Sequence, residues 1–508
     1  MITRTRRPLL SLAIVTILLT LPATRLLAAD KAPPLTSREQ AIHVLNRLAF
    51  GPKPGQVDQV ARMGWKKWVE QQLDPESIDD ARLDKRLKEH NPSLFMSPNE
   101  IGQHYMPPRM SREQQKKLTA EERRKLNKER NRLRGKLGNE LISSVLVRAT
   151  QSERQFQEVM VEFWRNHLNV YLAKVRYPAN HYEQNVIRKH AFGKFEDLIM
   201  ASAKHPAMLI YLDNNVSKKT GLNENYAREL MELHTLGVDN YYTQQDVIEL
   251  ARVLTGWTCG RKRDAKGGAT YGFIFNPRYH DTKPATVVGL NLDGKGGLAD
   301  GEKVVRYLAN HKGTAQYIST KLCRYLVSDD PPQALVDRVA QVFLKTGGDL
   351  KKVYRAIIFS DAFMKRANYK AKFKTPFEFL VSSMRSTSVP VYQTGQLTRV
   401  LTEMGQAIYM CDVPTGYSDQ AEAWLDPGVM AYRWEYSVRF AQVLGKRGGV
   451  SPQIKSWQKL PKRKMAMKVQ QTLLPGEPTE STTAMLMEAN DLRGMVQLAL
   501  GSPAFQQQ

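Results

Sequence analysis

Apolar residues recur every three to four positions along most of the chain, a spacing that predicts helices rather than strands. Thr36 and Glu39 form a capping box, and the apolar positions that follow share one helix face. Strand signals are confined mainly to residues 271–275 and 286–292, which we expect to pair as a small ribbon around an intervening loop. The pattern predicts a mainly α fold: a multi-helical single large domain over residues 30–508 with a small β-ribbon insertion.

The most informative segment covers residues 223–257. A helical wheel of its first helix places a polar arc opposite an apolar arc that also contains a histidine. The inward arc holds Tyr226, Leu230, Leu233 and His234. The polar arc holds the site candidates Asn225, Arg228, Glu229 and Glu232, together with Glu224. Thr243 and Asp246 then open a second, mostly apolar helix.

Two further histidine positions extend this candidate site. His167 falls on an apolar arc of its own helix, and His280 lies beside Asp281 in the loop between the two strand candidates. A buried imidazole near a carboxylate can serve as general base, proton relay or metal ligand. Glu229 borders the inward arc, so we expect it to approach His167 or the His280–Asp281 loop. Hydrogen-bonded core histidines are the simpler explanation, since no established nucleophile or ligand spacing accompanies them.

Several common cofactor and catalytic motifs are missing from the sequence. It lacks Gly-x-Ser-x-Gly, H-E-x-x-H, the P-loop and the dinucleotide fingerprint, which argues against serine hydrolase, common zinc protease, nucleotide and NAD chemistry. Cys259, Cys323 and Cys411 show no C-x-x-C spacing, so we expect three small buried residues. Residues 291–302 resemble part of a calcium loop, but Lys295 replaces an oxygen ligand and an ordinary turn is expected. The histidine and carboxylate set still admits a metal ion.

Charge changes the picture of the surroundings. The 508 residues are 42% apolar, enough for a substantial core, yet carry 75 Lys and Arg against 50 Asp and Glu, a net charge of +25. Such a charge suits an anionic environment, such as an acidic envelope polymer or a membrane surface. Residues 109–136 hold twelve basic residues and four Glu, and we expect a solvated helix or arm. The absence of aromatic side chains there argues against nucleic acid.

The first 29 residues have the features of an export signal. Arg4, Arg6 and Arg7 precede a mostly apolar stretch over residues 9–21, and an Ala-Ala pair stands before Asp30. The stretch is short for a membrane span, although an uncleaved anchor is the alternative. We therefore expect a periplasmic or secreted protein, with the general secretory route favoured over the twin-arginine route. No later window predicts a transmembrane helix in the mature chain.

An ordered series of motifs resembles a known bacterial family, the domain of unknown function 1800, over approximately residues 40–505. The motifs are HVLNRLAFG from His43, FWRNH from Phe163, HPAMLIYLD from His205, NENYARELMELH from Asn223, TGW from Thr255, His280-Asp281 and KTP from Lys374. The resemblance implies an exported, mainly helical protein, often encoded beside a second exported family, the sulfatase-related domain of unknown function 1501. It supplies no agreed catalytic residues. The chain departs from the pattern at Arg165, at Leu168 and in a basic stretch over residues 446–468.

Two hypotheses of different classes follow. In the first, a polar cleft formed by the 223–257 hairpin, His167 and the His280–Asp281 loop belongs to a hydrolase-type enzyme acting on a polar envelope or extracellular substrate. Hydrolysis is preferred only because it needs no organic cofactor. In the alternative, the protein is a non-catalytic envelope binding or assembly protein, working with the sulfatase-related partner or an acidic polymer. The same polar residues would then form a buried structural network.

Overall fold

The computed structural model describes residues 33–106, 110–263, 269–391, 393–443, 452–476 and 479–508. The predicted export signal at residues 1–29 lies outside the described residues. So do Arg109 at the start of the first basic segment and residues 446–451 of the second. No helix within these ranges is long and apolar enough to cross a membrane.

Helices make up most of the described chain, which confirms the mainly α prediction. The α-helices of the first half are Ser37–Arg47, Gln56–Met63, Trp65–Gln72, Ala81–His90, Pro98–Tyr105, Arg112–Lys117, Ala120–Gln151, Gln155–His167, Leu172–Val175, Ala179–Tyr182, Phe195–Ala203, Pro206–Tyr211, Asn225–Glu229 and Gln244–Val253. Those of the second half are Leu298–Ala309, Lys312–Leu326, Gln333–Thr346, Leu350–Ile358, Pro376–Thr387, Thr394–Glu403, Pro427–Val443, Pro452–Trp457, Lys462–Leu473, Glu480–Met487, Leu492–Gly501 and Pro503–Gln506. Short 3-10 turns lie between several of them, and two π-helical segments cover Glu183–Arg188 and Leu230–Thr235.

The helices pack around a continuous hydrophobic core. One cluster of buried side chains extends from Ala41 near the start of the described chain to Phe505 near its end. Two small satellite clusters lie apart from it, one formed by Leu83, Leu87 and Val147 and the other by Ile101, Tyr105 and Leu137. Because one core joins helices from both halves, distant sequence motifs are held in fixed positions relative to one another.

Two small antiparallel ribbons make up the β structure. The strands are β1 (Trp257–Arg263), β2 (Ala269–Phe275), β3 (Ala285–Val287) and β4 (Leu290–Leu292). β1 pairs with β2 and β3 with β4, so the predicted pairing of residues 271–275 with 286–292 is wrong. Val288 and Gly289 both have positive φ, the geometry of a tight two-residue hairpin turn, and this turn folds the 285–292 segment back on itself.

The first basic segment forms the short helix Arg112–Lys117 and the exposed part of the long helix Ala120–Gln151, so its helical form is confirmed. From Leu137 onward the same long helix is largely buried. Within the described residues, carboxylates pair with only some of its basic side chains, namely Lys117, Lys125 and Arg132. The exposed half therefore presents excess positive charge at the surface.

The remaining sequence candidates have simple structural explanations. All three cysteines are free thiols; Cys323 and Cys411 are buried, whereas Cys259 is partly exposed. The calcium-like segment is a turn in which Asp293 and Asp300 accept backbone N–H groups at 2.9 Å. Its carboxylates are thus already engaged by their own loop.

Candidate functional site

His167 and His234 meet in the core. His167 ends the helix Gln155–His167, and its Nε2 donates to the His234 carbonyl at 3.2 Å. Both side chains are only 2% exposed. Burial, followed by the nearby charge of Lys321, lowers the pKa of both rings, that of His234 to about 3. The two imidazoles are therefore neutral at physiological pH, which suits hydrogen bonding in the core better than proton transfer.

The helix that carries His234 departs from regular α geometry. It is α-helical over Asn225–Glu229 and π-helical over Leu230–Thr235. A π turn adds a residue and rotates all positions after it, so a wheel drawn at 100° per residue loses phase. Met231 is consequently buried, while Leu233, predicted on the inward arc, is only partly buried.

Three of the polar candidates lie on the outer face of this helix. Arg228 donates to Glu224 at 3.1 Å and to Glu232 at 3.3 Å, and it also reaches Gln244 on the following helix. Asn225 is exposed. These contacts form a partly solvated surface network that ties together the two helices of the hairpin.

Glu229 stands apart from that network. It is partly buried, and its pKa is raised by burial first and by Glu232 second, against the opposing charge of Arg228. Within the described residues, no hydrogen bond or ion pair joins its carboxylate to His167 or to the His280–Asp281 loop. It lies near Tyr211, whose pKa is raised mainly by burial and also by the charge of Glu229.

His280 and Asp281 are held against the second helix of the hairpin. His280 Nδ1 donates to the Thr255 carbonyl at 2.9 Å, and Asp281 accepts from Arg252 Nε at 3.2 Å. Burial opposes ionisation of Asp281, but the bonds from Arg252 outweigh it and lower the pKa. The adjoining cavity of about 10 Å³ is too small for a substrate. The structure thus distributes the predicted residues over four places: the His167–His234 contact, the surface network of Arg228, the separate position of Glu229, and the His280–Asp281 loop.

Sequence reasoning missed a buried ionic network next to His167. Arg165 pairs with Glu162 and, at 3.2 Å, with Glu183 in the other π-helical segment; Glu183 also accepts from the Tyr409 hydroxyl at 2.6 Å. Glu183 is 1% exposed. The adjoining cavity holds about 20 Å³, room for about one water. Arg165, one of the departures from the family pattern, therefore has a structural partner on either side.

A much larger cavity lies elsewhere, a cleft of about 1240 Å³. Its walls come from the helix Pro98–Tyr105, the exposed part of the helix Ala120–Gln151 (the basic helix), the segments around His181 and His205, and the β1–β2 ribbon. Tyr271 N–H donates to Asn99 Oδ1 at 3.2 Å and so joins ribbon to helix. The lining residues are Pro98, Asn99, Ile101, Gly102, Gln103, Met106, Met110, Gln115, Leu126, Arg130, Val175, Tyr177, Pro178, His181, Lys204, His205, Pro206, Ile210, Gly260, Tyr271, Gly272 and Phe273.

The composition of this lining is one-sided. Among the residues that the structure describes, no Asp or Glu lines the cleft, whereas Arg130, Lys204 and two histidines do. Lys204 is paired with Glu302 at 2.5 Å, while no carboxylate within the described ranges pairs with Arg130. The cleft therefore offers positive charge and hydrogen-bond donors between apolar and aromatic surfaces.

The described residues contain no cluster of three or more His, Cys, Asp or Glu side chains arranged to hold a metal ion. The closest approach of two potential ligands in the cleft is the pair His181 and His205, with Nδ1 and Nε2 2.9 Å apart. At that separation the two nitrogens share a hydrogen bond, which leaves no space for an ion between them.

Comparison with protein-family models identifies the family of this chain. The model described as protein of unknown function (DUF1800) matches residues 43–507. The chain belongs to the DUF1800 family. No curated protein and no solved structure matches it. The matched range includes the 1240 Å³ cleft, the buried ionic network and all eight residues predicted for the site, so each is part of the DUF1800 region.

The cleft of this DUF1800 member was not predictable from local patterns. The described residues of its walls fall within three stretches of sequence, 98–130, 175–210 and 260–273, that only the tertiary fold brings together. One signal was present: His205 begins a motif and precedes Pro206, the arrangement of a helix N-terminus. His181 carried no signal of its own.

Proposed function

We propose that this protein is an exported binding protein that holds an acidic polysaccharide of the cell envelope in the 1240 Å³ cleft. The observation that carries the proposal is the lining, which has no described Asp or Glu and contains hydrogen-bond donors and Arg130, a cation with no described carboxylate partner, beside Tyr177, Tyr271 and Phe273. Anionic groups of a polymer would find donors there, and aromatic faces would cover the apolar faces of its sugar rings.

The surface charge supports the same ligand class. The mature chain from Asp30 would carry a net charge of +21, because Arg4, Arg6, Arg7 and Arg25 would be removed with the signal. This charge raises the local concentration of polyanions, and the basic helix contributes Leu126 and Arg130 directly to the cleft. Long-range attraction of this kind accelerates encounter and weakens with salt. A polymer would thus be drawn to the basic helix and then fixed in the cleft.

A titration with defined polymers tests the proposal. Wild-type protein should bind polygalacturonate and not neutral dextran, with affinity that falls as salt rises. Arg130→Glu should weaken binding by at least about five-fold at low salt, since it reverses one charge at the ligand. Arg62→Glu, an exposed change outside the cleft, is the matched control. Equal effects of the two variants would contradict a cleft site and indicate only diffuse attraction.

Export and partnership belong to the same proposal. The N-terminal Arg residues, the short apolar stretch and the Ala-rich junction support a mature periplasmic or secreted protein that begins near Asp30. The family resemblance supports a partner of the sulfatase-related domain of unknown function 1501. Mass spectrometry of cell fractions tests the first point, because cytosolic protein with intact Met1 would contradict it. Co-purification from the envelope fraction tests the second.

One observation favours hydrolysis as a second candidate function. Burial raises the pKa of Glu229, and Glu232 raises it further, which is the direction of shift that a carboxylic general acid needs. If the protein hydrolyses a polar envelope substrate, Glu229→Gln should abolish release of reducing ends from acidic polysaccharide while polymer binding persists. Binding without any release by the wild type would exclude this candidate for that substrate.

A further inference from the structure

The paired histidines in the cleft wall have hydrogen-bond roles that the geometry determines. His205 is the N-cap of the helix Pro206–Tyr211, and its Nδ1 accepts the Ala207 N–H at 3.1 Å. An accepting nitrogen carries no proton. A neutral His205 ring must therefore carry its proton on Nε2.

That assignment determines the state of the second ring. His205 Nε2 lies 2.9 Å from His181 Nδ1, with the two rings nearly parallel at 17°. Since His205 Nε2–H is the donor, His181 Nδ1 is the acceptor, and neutral His181 carries its proton on Nε2. Burial lowers the pKa of both rings, which keeps the pair neutral.

His181 has one ring nitrogen left for other contacts. It forms part of the cleft wall, and its Nε2 has no partner among the described residues. The ring cannot act as a base through Nε2 in this state. A base there would need the other neutral tautomer, with the proton on Nδ1, and that proton would point at the N–H of His205. The two successive hydrogen bonds, from Ala207 N–H to His205 and from His205 to His181, therefore make Nε2 of His181 a hydrogen-bond donor.

We infer that His181 Nε2–H is the specificity-determining donor of the cleft and donates a hydrogen bond to a carboxylate or other acceptor oxygen of the bound polymer. His205 is the positioning residue that fixes the tautomer of His181. The inference rests on the proposed function and deepens it, since it names the atom that would recognise the acidic group. This N–H favours acceptor groups over donors such as amines, because a donor on the ligand would face another N–H and find no acceptor.

Nuclear magnetic resonance of ¹⁵N-labelled histidines tests the tautomers without any ligand. Both His181 and His205 should show Nε2–H at pH 7.5. His205→Asn retains an oxygen that can cap Ala207 but removes the donor to His181, so His181 should then populate both tautomers. An Nδ1–H form of His181 in the wild type would overturn the inference whatever the binding data show.

Binding of polygalacturonate tests the role. His181→Phe should weaken binding about ten- to hundred-fold, the range for one hydrogen bond to a charged group. His181→Gln, which keeps an N–H donor, should recover most of that loss, and the exposed His90→Phe is the control. Wild-type binding that His181→Phe leaves unchanged, while Arg130→Glu weakens it, would overturn the inference and leave the proposed function standing. No wild-type binding would overturn both.

Discussion

Tyr409 offers a direct test of whether the buried polar residues beside His167 stabilise the fold rather than perform chemistry. Its hydroxyl donates to Glu183 Oε2 at 2.6 Å, and the two side chains are 4% and 1% exposed. The bond is short, charge-assisted and shielded from water, a class that contributes about 1.5–3 kcal/mol. Tyr409→Phe keeps the ring and removes only the donor, while Arg165 still holds the carboxylate. We expect the free energy of unfolding to fall by about 2 kcal/mol.

Urea unfolding of matched variants measures this loss. Tyr417→Phe is the control, because the Tyr417 hydroxyl donates to a neutral acceptor, the Ala407 carbonyl at 2.8 Å, and should cost only about 1 kcal/mol. In a Glu183→Gln background, Tyr409→Phe should cost less than in the wild type, since the acceptor is no longer charged. Polymer binding should not change in any of these variants. A Tyr409→Phe cost no greater than that of Tyr417→Phe, or one independent of Glu183, would refute the reasoning.

Three further perturbations have distinct expected outcomes. Burial lowers the pKa of Lys374 to about 7, so the unfolded chain binds more protons than the folded chain between pH 7 and 10.5. The free energy of unfolding should therefore rise with pH across that window. Urea unfolding at several pH values should show a smaller rise for Lys374→Met. Burial raises the pKa of Glu229, so ionisation of this carboxyl destabilises the folded state as the pH rises above the pKa of the unfolded chain. The free energy of unfolding of Glu229→Gln at pH 7 should therefore equal or exceed that of the wild type. A loss near 3 kcal/mol would instead reveal an ion partner. Gly256 has φ of +80°, and an added Cβ would lie 2.5 Å from the Asn276 carbonyl oxygen, so Gly256→Ala should cost more than about 2 kcal/mol. Gly55→Ala, at the same φ with open space around it, should cost only about 1 kcal/mol in the same thermal unfolding assay, and equal losses would contradict the steric argument.

The fold class followed from local chemistry because helical periodicity and capping boxes act within a few residues. Thr36 with Glu39 and Thr243 with Asp246 cap their helices as expected, and the burial of His167 and His234 follows from apolar neighbours on the same face. Strand pairing failed because the positive φ of Val288 closes a hairpin that a propensity pattern does not reveal. The register of Leu233 failed for a related reason, a π turn without a sequence signature.

The candidate site could be anticipated residue by residue but not as an arrangement. Sequence identified His280 and Asp281 as chemically capable groups, yet Arg252 engages Asp281 and the Thr255 backbone engages His280. The sequence pattern could not reveal the cleft, because only tertiary packing brings Asn99, His181 and Tyr271 together. Motifs in this chain therefore mark the buried structural network more clearly than the cleft.

Hydrogen–deuterium exchange with and without polygalacturonate tests the central claim most directly, because it locates the ligand on the unmodified protein. If the cleft binds an acidic polysaccharide, exchange should slow in the helix Pro98–Tyr105, in the helix Pro206–Tyr211 and in the β1–β2 ribbon, while the buried network around Glu183 stays unchanged. Slowed exchange confined to the exposed face of the basic helix, or none in the cleft walls under conditions where the polymer is bound, would contradict the account.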